Sequence, residues 1–151
     1  MDANNDKKAL DFAFRCLGNR EHSRREVIVK LERKQFEPEV IERTLRKLVE
    51  LGQLDDRSFA ANYIRSRSKK KPSGYYKLKY ELLQKGISEE TIREVLEDYD
   101  NSTHCLNAAM KKLPLLKGDD RCRKNKMHRF LLNRGFDNHT IRETIDRIFS
   151  S

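Results

Sequence analysis

No tryptophan occurs in the 151 residues, prolines number three and glycines six, and no apolar run approaches the length needed to cross a bilayer. The opening Met1-Asp2-Ala3-Asn4-Asn5 lacks the apolar centre of a secretory signal, so a cytoplasmic protein with no membrane contact is expected. Three cysteines, Cys16, Cys105 and Cys122, are odd in number and far apart, which suits reduced thiols in a cytoplasm rather than a disulfide framework. Equally missing are a phosphate-cradling glycine loop, a nucleophile elbow and a close cysteine pair. His104-Cys105 and Cys122 with His128 match no familiar zinc spacing. The carboxylate pairs Asp55-Asp56, Glu89-Glu90 and Asp119-Asp120 fall near expected helix starts, where capping accounts for them. The expectation is therefore no catalytic residue, no metal, no cofactor and no enzyme.

What the chain has in abundance is charge. Charged residues make up 38% and hydrophobic residues 36%, so the core is modest and the surface well hydrated. The net charge of +9 is unevenly spread: residues 1–54 contribute +2, 55–100 contribute +1 and 101–151 contribute +6. Such an excess points to an acidic partner, either nucleic acid or an acidic protein groove, and charge alone does not separate them.

The apolar residues follow helical spacing throughout. Leu10, Ala13, Phe14 and Leu17 share one face of a helix over 7–17. Ser23-Arg24-Arg25-Glu26 is a capping box opening a helix that turns Val27, Ile28 and Leu31 inward. Pro38 suits the first turn of a third helix with the stripe Val40, Ile41, Leu45, Leu48 and Val49. Around residues 51–65 one helical unit ends, at Leu51-Gly52, and the next begins, with Asp55 and Asp56 as caps. Helices are expected at 55–68, 75–85 and 89–99, then at 103–112, 120–133 and 138–149.

These helices carry a hidden period. Leu31, Gln35, Phe36, Ile41 and Leu45 recur as Leu82, Gly86, Ile87, Ile92 and Leu96, and again as Leu131, Gly135, Phe136, Ile141 and Ile145. The expected caps Glu37, Ser88 and Asp137 match, and Thr91-Ile92-Arg93-Glu94 repeats as Thr140-Ile141-Arg142-Glu143. The expected fold is all-α: three tandem three-helix modules, 1–54, 55–100 and 101–151, each burying apolar surface against a neighbour. Gly86 and Gly135 stand at a turn where positive φ favours glycine, whereas Gln35 holds the same place in the first module.

Two basic stretches are the candidate binding faces. The first holds Arg65, Arg67, Lys69, Lys70, Lys71, Lys77, Lys79 and Lys85 against one acid, Glu81, with Tyr75, Tyr76 and Tyr80 interleaved. The second holds Arg121, Arg123, Lys124, Lys126, Arg129 and Arg134 with no acid. Lysine and arginine neutralise phosphates, and tyrosine rings stack on unpaired bases. The plainer reading is a solvated helix face with tyrosines in the core. A DNA-reading helix would have to be 75–85, and nothing there marks base specificity.

The order and spacing of Arg20–Ser23, Leu51-Gly52-x-Leu54-Asp55-Asp56-x-x-Phe59-Ala60, Ile64-x-Ser66-Arg67-Ser68, Gly74, Glu81-Leu82-x-Gln84-Lys85-Gly86-Ile87-Ser88 and Arg129-Phe130-Leu131-Leu132-x-Arg134-Gly135-Phe136 resemble the RecX family of recombination regulators. The match covers roughly residues 9–149; Gln35, where glycine is common, and the lysine-rich insertion before Gly74 depart from it. The resemblance implies an elongated, curved array of the three modules, acting as a monomer. It also implies binding to the RecA–DNA filament, with weaker electrostatic contact to single- and double-stranded DNA. Such binding would suppress filament extension, ATP hydrolysis, strand exchange and the co-protease activity behind the SOS response. The alternative is a basic helical module whose main partner is DNA itself.

Overall fold

Helical spacing becomes helix in each expected stretch. In the computed structural model, which describes residues 3–150, the elements are α1 (Ala3–Asn19), α2 (Arg24–Arg33), α3 (Pro38–Glu50), α4 (Asp56–Lys70), α5 (Tyr75–Gln84), α6 (Glu89–Val95), α7 (Asn101–Lys112), a 3₁₀ turn Leu113–Leu115, α8 (Asp120–Asn133) and α9 (Asn138–Phe149). Among the described residues there is no strand. The helix starts are fixed by the expected chemistry in most cases. Ser23 accepts from the Glu26 amide while the Glu26 side chain accepts from the Ser23 amide, completing the box. Ser88 accepts from the Thr91 amide, Asp119 from that of Cys122 and Asp137 from that of Thr140.

Four details depart from the sequence reading. Glu37 makes no side-chain cap, leaving Pro38 to set the start of α3. Asp55 caps α4 through the Arg57 and Ser58 amides, whereas Asp56 accepts instead from the amide of Arg24, 2.9 Å away. Helix α6 stops at Val95 rather than running to Tyr99. Phe14 and Val49, placed inward by periodicity, are 38% and 42% exposed, so the buried stripes of α1 and α3 are narrower than their apolar content suggests.

The chain divides into two compact units, and the middle triplet of helices contributes to both. The first comprises the residues up to Ala61 together with Leu82–Ile92. In it α1 and α2 pack on α3 over Ala9, Ala13, Val27, Leu31, Val40, Ile41, Leu45, Leu48 and Leu54, and Phe59, Leu82, Ile87 and Ile92 are also buried. The second comprises Asn62–Glu81 and the chain from Arg93 onward. There α7 and α8 pack on α9 over Cys105, Ala108, Ala109, Met127, Leu131, Phe136, Ile141 and Ile145. Alanines in α1 and α7 let those helices approach α3 and α9 closely.

The sequence period is a period of structure. In each module the second helix closes with the same six-to-one turn: the amides of Phe36, Ile87 and Phe136 donate to the carbonyls of Leu31, Leu82 and Leu131. Gln35, Gly86 and Gly135 take φ of 66°, 81° and 91° in those turns. Gln35 thus adopts the same left-handed turn as its glycine counterparts.

Candidate binding surface

In the first and second modules the second helix begins by docking on the next module's turn. In the first unit the Ser23 hydroxyl donates to the Lys85 carbonyl at 2.7 Å, and a Cβ on Gly86 would come within 2.4 Å of Arg25 Cβ. In the second unit the Gly74 amide donates to the Arg134 carbonyl at 2.7 Å and the Tyr76 amide to the Gly135 carbonyl at 3.2 Å. A Cβ on Gly135 would lie 2.4 Å from the Lys77 amide nitrogen, and one on Gly74 would lie 2.4 Å from the Gly135 carbonyl. Lys85 and Arg134 are repeat equivalents, as are Ser23 and Gly74, so one docking rule is used twice.

This docking joins the two basic stretches, which the sequence presents about fifty residues apart. The Arg134 guanidinium donates to the Pro72 carbonyl, just past Lys69-Lys70-Lys71, and lies 4.9 Å from the centre of the Phe130 ring. Burial, and then the charge of Arg67, push Arg134 below the ordinary arginine value. Arg67 forks onto Glu81 at 3.0 and 2.9 Å, and Tyr63 donates to the same carboxylate at 2.8 Å. The Arg67 hydrogen bonds hold the Glu81 carboxyl low, while burial and this bond raise Tyr63 to about 12. Tyr99 donates to the Ser73 carbonyl and stacks on His104 with ring centres 4.7 Å apart. The Tyr75 amide donates to Asn101 at 2.9 Å. The lysine-rich turn is thereby held from three sides.

The sequence-predicted cations separate into two groups. Arg67 and Arg134 are committed to holding the second unit together, Arg123 pairs with Asp120 at 3.3 Å and lies over Phe149, and Lys77 backs Gly135. Lys69, Lys70, Lys71, Arg121, Lys124, Lys126 and Arg129 are exposed, as is Arg65, which bonds Asn62. Lys79 is half-buried. On α8, exposed Arg121, Asn125, Arg129 and Leu132 recur at helical spacing, away from buried Met127 and Leu131. The tyrosines do not follow the core reading: Tyr76 and Tyr80 are 61% and 63% exposed, one turn apart on α5, and only Tyr75 is half-buried against Tyr76. What the sequence did not reveal is the division of labour among the arginines. The lone acid Glu81 was the available signal, since a single carboxylate in a basic stretch is apt to be bound by one of its neighbours.

The fold and this surface define an all-helical repeat protein whose outstanding feature is cationic surface interleaved with exposed aromatic rings. The comparisons then give the family. The first, second and third three-helix domains of RecX match residues 9–48, 55–96 and 98–145. The chain belongs to the RecX family. It is 61% identical over 151 residues to the regulatory protein RecX of Chlorobium phaeobacteroides, with all of both chains covered. It is 51% identical, again with full coverage of both, to that of Prosthecochloris aestuarii. A crystal structure of RecX from Lactobacillus salivarius has the same fold, with a TM-score of 0.88 at 24% identity over 97% of this chain and 98% of that one.

Proposed function

We propose that this chain is a negative regulator of RecA that acts as a cytoplasmic monomer by occupying the RecA–DNA filament. Occupation inhibits filament extension, and with it ATP hydrolysis, strand exchange and the co-protease activity of the SOS response. The observation that carries the reading is the joining of two acid-poor stretches within one unit, at Pro72–Tyr76 and Arg134–Phe136, with their outer cations left exposed. A filament of protein on DNA presents carboxylates and phosphates together, and a surface of this charge is attracted to both. Family membership supplies RecA as the partner; the charge and geometry alone are equally at home on DNA.

A second reading, a module whose main partner is DNA, draws its support from Tyr76 and Tyr80, since large exposed rings among lysines suit unpaired bases. The two readings separate in a RecA ATPase assay with RecA at saturating coverage of single-stranded DNA. If the RecA reading holds, inhibition tracks the ratio of this chain to RecA and survives an excess of free DNA. Inhibition that tracks the ratio of chain to DNA, and disappears in that excess, sinks the RecA reading and leaves DNA titration.

A further inference from the structure

The first module, nearly neutral by count, brings Arg15, Arg20, Lys30 and Lys34 to one concavity. Helix α1 presents Phe12 and Arg15, and helix α2 presents Lys30, with Lys34 just past its end, around a recess of about 400 Å³ closed by Arg20 and His22. A neighbouring recess of about 260 Å³ shares Phe12, Arg15 and Lys34 and adds Lys8 and Asp11. The larger recess has no carboxylate in its wall. Arg20 forks onto Glu26 at 3.2 Å, but the same carboxylate also takes Lys85 at 3.2 Å and the Ser23 amide, so its charge is divided. Lys34 is held 5.3 Å from the centre of the Phe12 ring. Arg15 and Lys30 meet no carboxylate among the described residues.

His22 adds a second observation. It is 3% exposed, and its Nδ1 lies 2.9 Å from the Arg20 carbonyl, which can only accept, so Nδ1 carries the proton. Nε2 is left with a lone pair and no partner among the described residues. Burial, with the nearby charges of Arg20 and Lys30, disfavours an added proton there. The wall thus offers several cations and a neutral imidazole.

We infer that this recess binds a phosphate monoester, with Arg15 and Lys30 as the principal cations and Arg20 and Lys34 at its edge. A compact dianion offsets several converging cations where a single carboxylate offsets one, and the arginine fork suits phosphate oxygens. The volume is at the lower end of the roughly 300–1,000 Å³ usual for small-molecule sites, so the phosphate has room for an attached group. This inference is independent of the RecA reading.

The test uses the full chain and inorganic phosphate. Its binding is followed by the phosphorus NMR line and by thermal unfolding in phosphate against chloride at equal ionic strength. The wild type is expected to show saturable broadening and a saturable rise in Tm, and Arg15→Gln with Lys30→Gln to weaken binding about ten-fold or more. The salting effect of phosphate acts equally on both proteins, so the difference between them reports the recess. Should the double variant not fold, broadening in the wild type and its competition still decide. Displacement of phosphate by a nucleoside monophosphate alone assigns a free small molecule. Stronger displacement by a 5′-phosphorylated strand than by its 5′-hydroxyl twin assigns a strand end. No saturable response, one retained in the folded variant, or equal competition by acetate or polyglutamate overturns the site.

Discussion

Gln35, Gly86 and Gly135 occupy one position of the repeat and share a left-handed backbone, yet only two are glycine. The reason is what stands in front of them. A preceding module docks on Gly86 and Gly135, leaving no room for Cβ, whereas Gln35 belongs to the first module and is exposed. Positive φ alone costs a side chain about 1–3 kcal/mol, and overpacking adds about 1–3 more. Gly135→Ala is therefore expected to cost about 2–5 kcal/mol, because the obstruction is the Lys77 backbone, while Gln35→Gly is neutral or stabilising by up to about 1 kcal/mol. Denaturant titration checks the contrast, and equal effects at the two positions would reject the docking explanation. The glycines and their register were legible in the sequence; their cause was not, because it lies in Arg25 for Gly86 and Lys77 for Gly135, each far away along the chain. Glu26 gives a second residue-scale prediction. Burial raises its carboxyl, but hydrogen bonds from Arg20, Ser23 and Lys85 outweigh this and lower it from 4.5 to about 2. A carboxyl lowered by folding adds stability that is full above its unfolded value and fades as pH falls toward its folded one. Wild type should accordingly exceed Glu26→Gln in Tm by a margin that is constant above pH 4.5 and shrinks toward pH 2. A margin unchanged across that window would show that the carboxylate charge is not what stabilises the junction.

At the scale of elements, periodicity located the helices because the spacing of Leu31, Leu82 and Leu131 with their partners needs no knowledge of the neighbours. It overreached at Phe14 and Val49, since a helix packed on few others buries only a narrow stripe. Leu82, wholly buried at the end of α5, is expected to cost about 2–5 kcal/mol when truncated to alanine, as buried leucines do. An unchanged melting midpoint would contradict its place in the core. The basic helices α4 and α8 call for a finer distinction, because charge counts treat every arginine alike. Arg67 sits 25% exposed in a forked pair with Glu81, close enough to Arg134 to feel its charge. Arg67→Gln should lose about 1–3 kcal/mol, the scale of charged hydrogen bonds, whereas Lys70→Gln should leave the melting midpoint within error. If both variants melt alike, Arg67 belongs with the exposed cations after all.

At the scale of the whole molecule, the net charge of +9 sets the sign of the partner, and folding decides which cations remain to meet it. Composition placed the largest excess after residue 100 and could not show that Arg123 and Arg134 are already engaged there. Lys69 and Lys70 close the last turn of α4 with Lys71 just beyond, and Arg121, Lys124 and Arg129 run along α8, all exposed and none facing a carboxylate among the described residues. Reversing either triplet to glutamate should spare the helices, since no bond inside the fold depends on these side chains beyond the loose approach of Lys124 to Phe149 at 5.8 Å. Each reversal should weaken inhibition of RecA ATPase by about ten-fold or more, because several screened attractions are turned into repulsions. The salt dependence separates the counterparts. A triplet that touches phosphates should flatten the slope of log affinity against log salt by about one for each phosphate no longer neutralised, whereas one that touches carboxylates should change it less. Circular dichroism supplies the control that each variant is folded. Wild-type potency from both folded triplets would remove these cations from the mechanism and return them to ordinary hydrated surface.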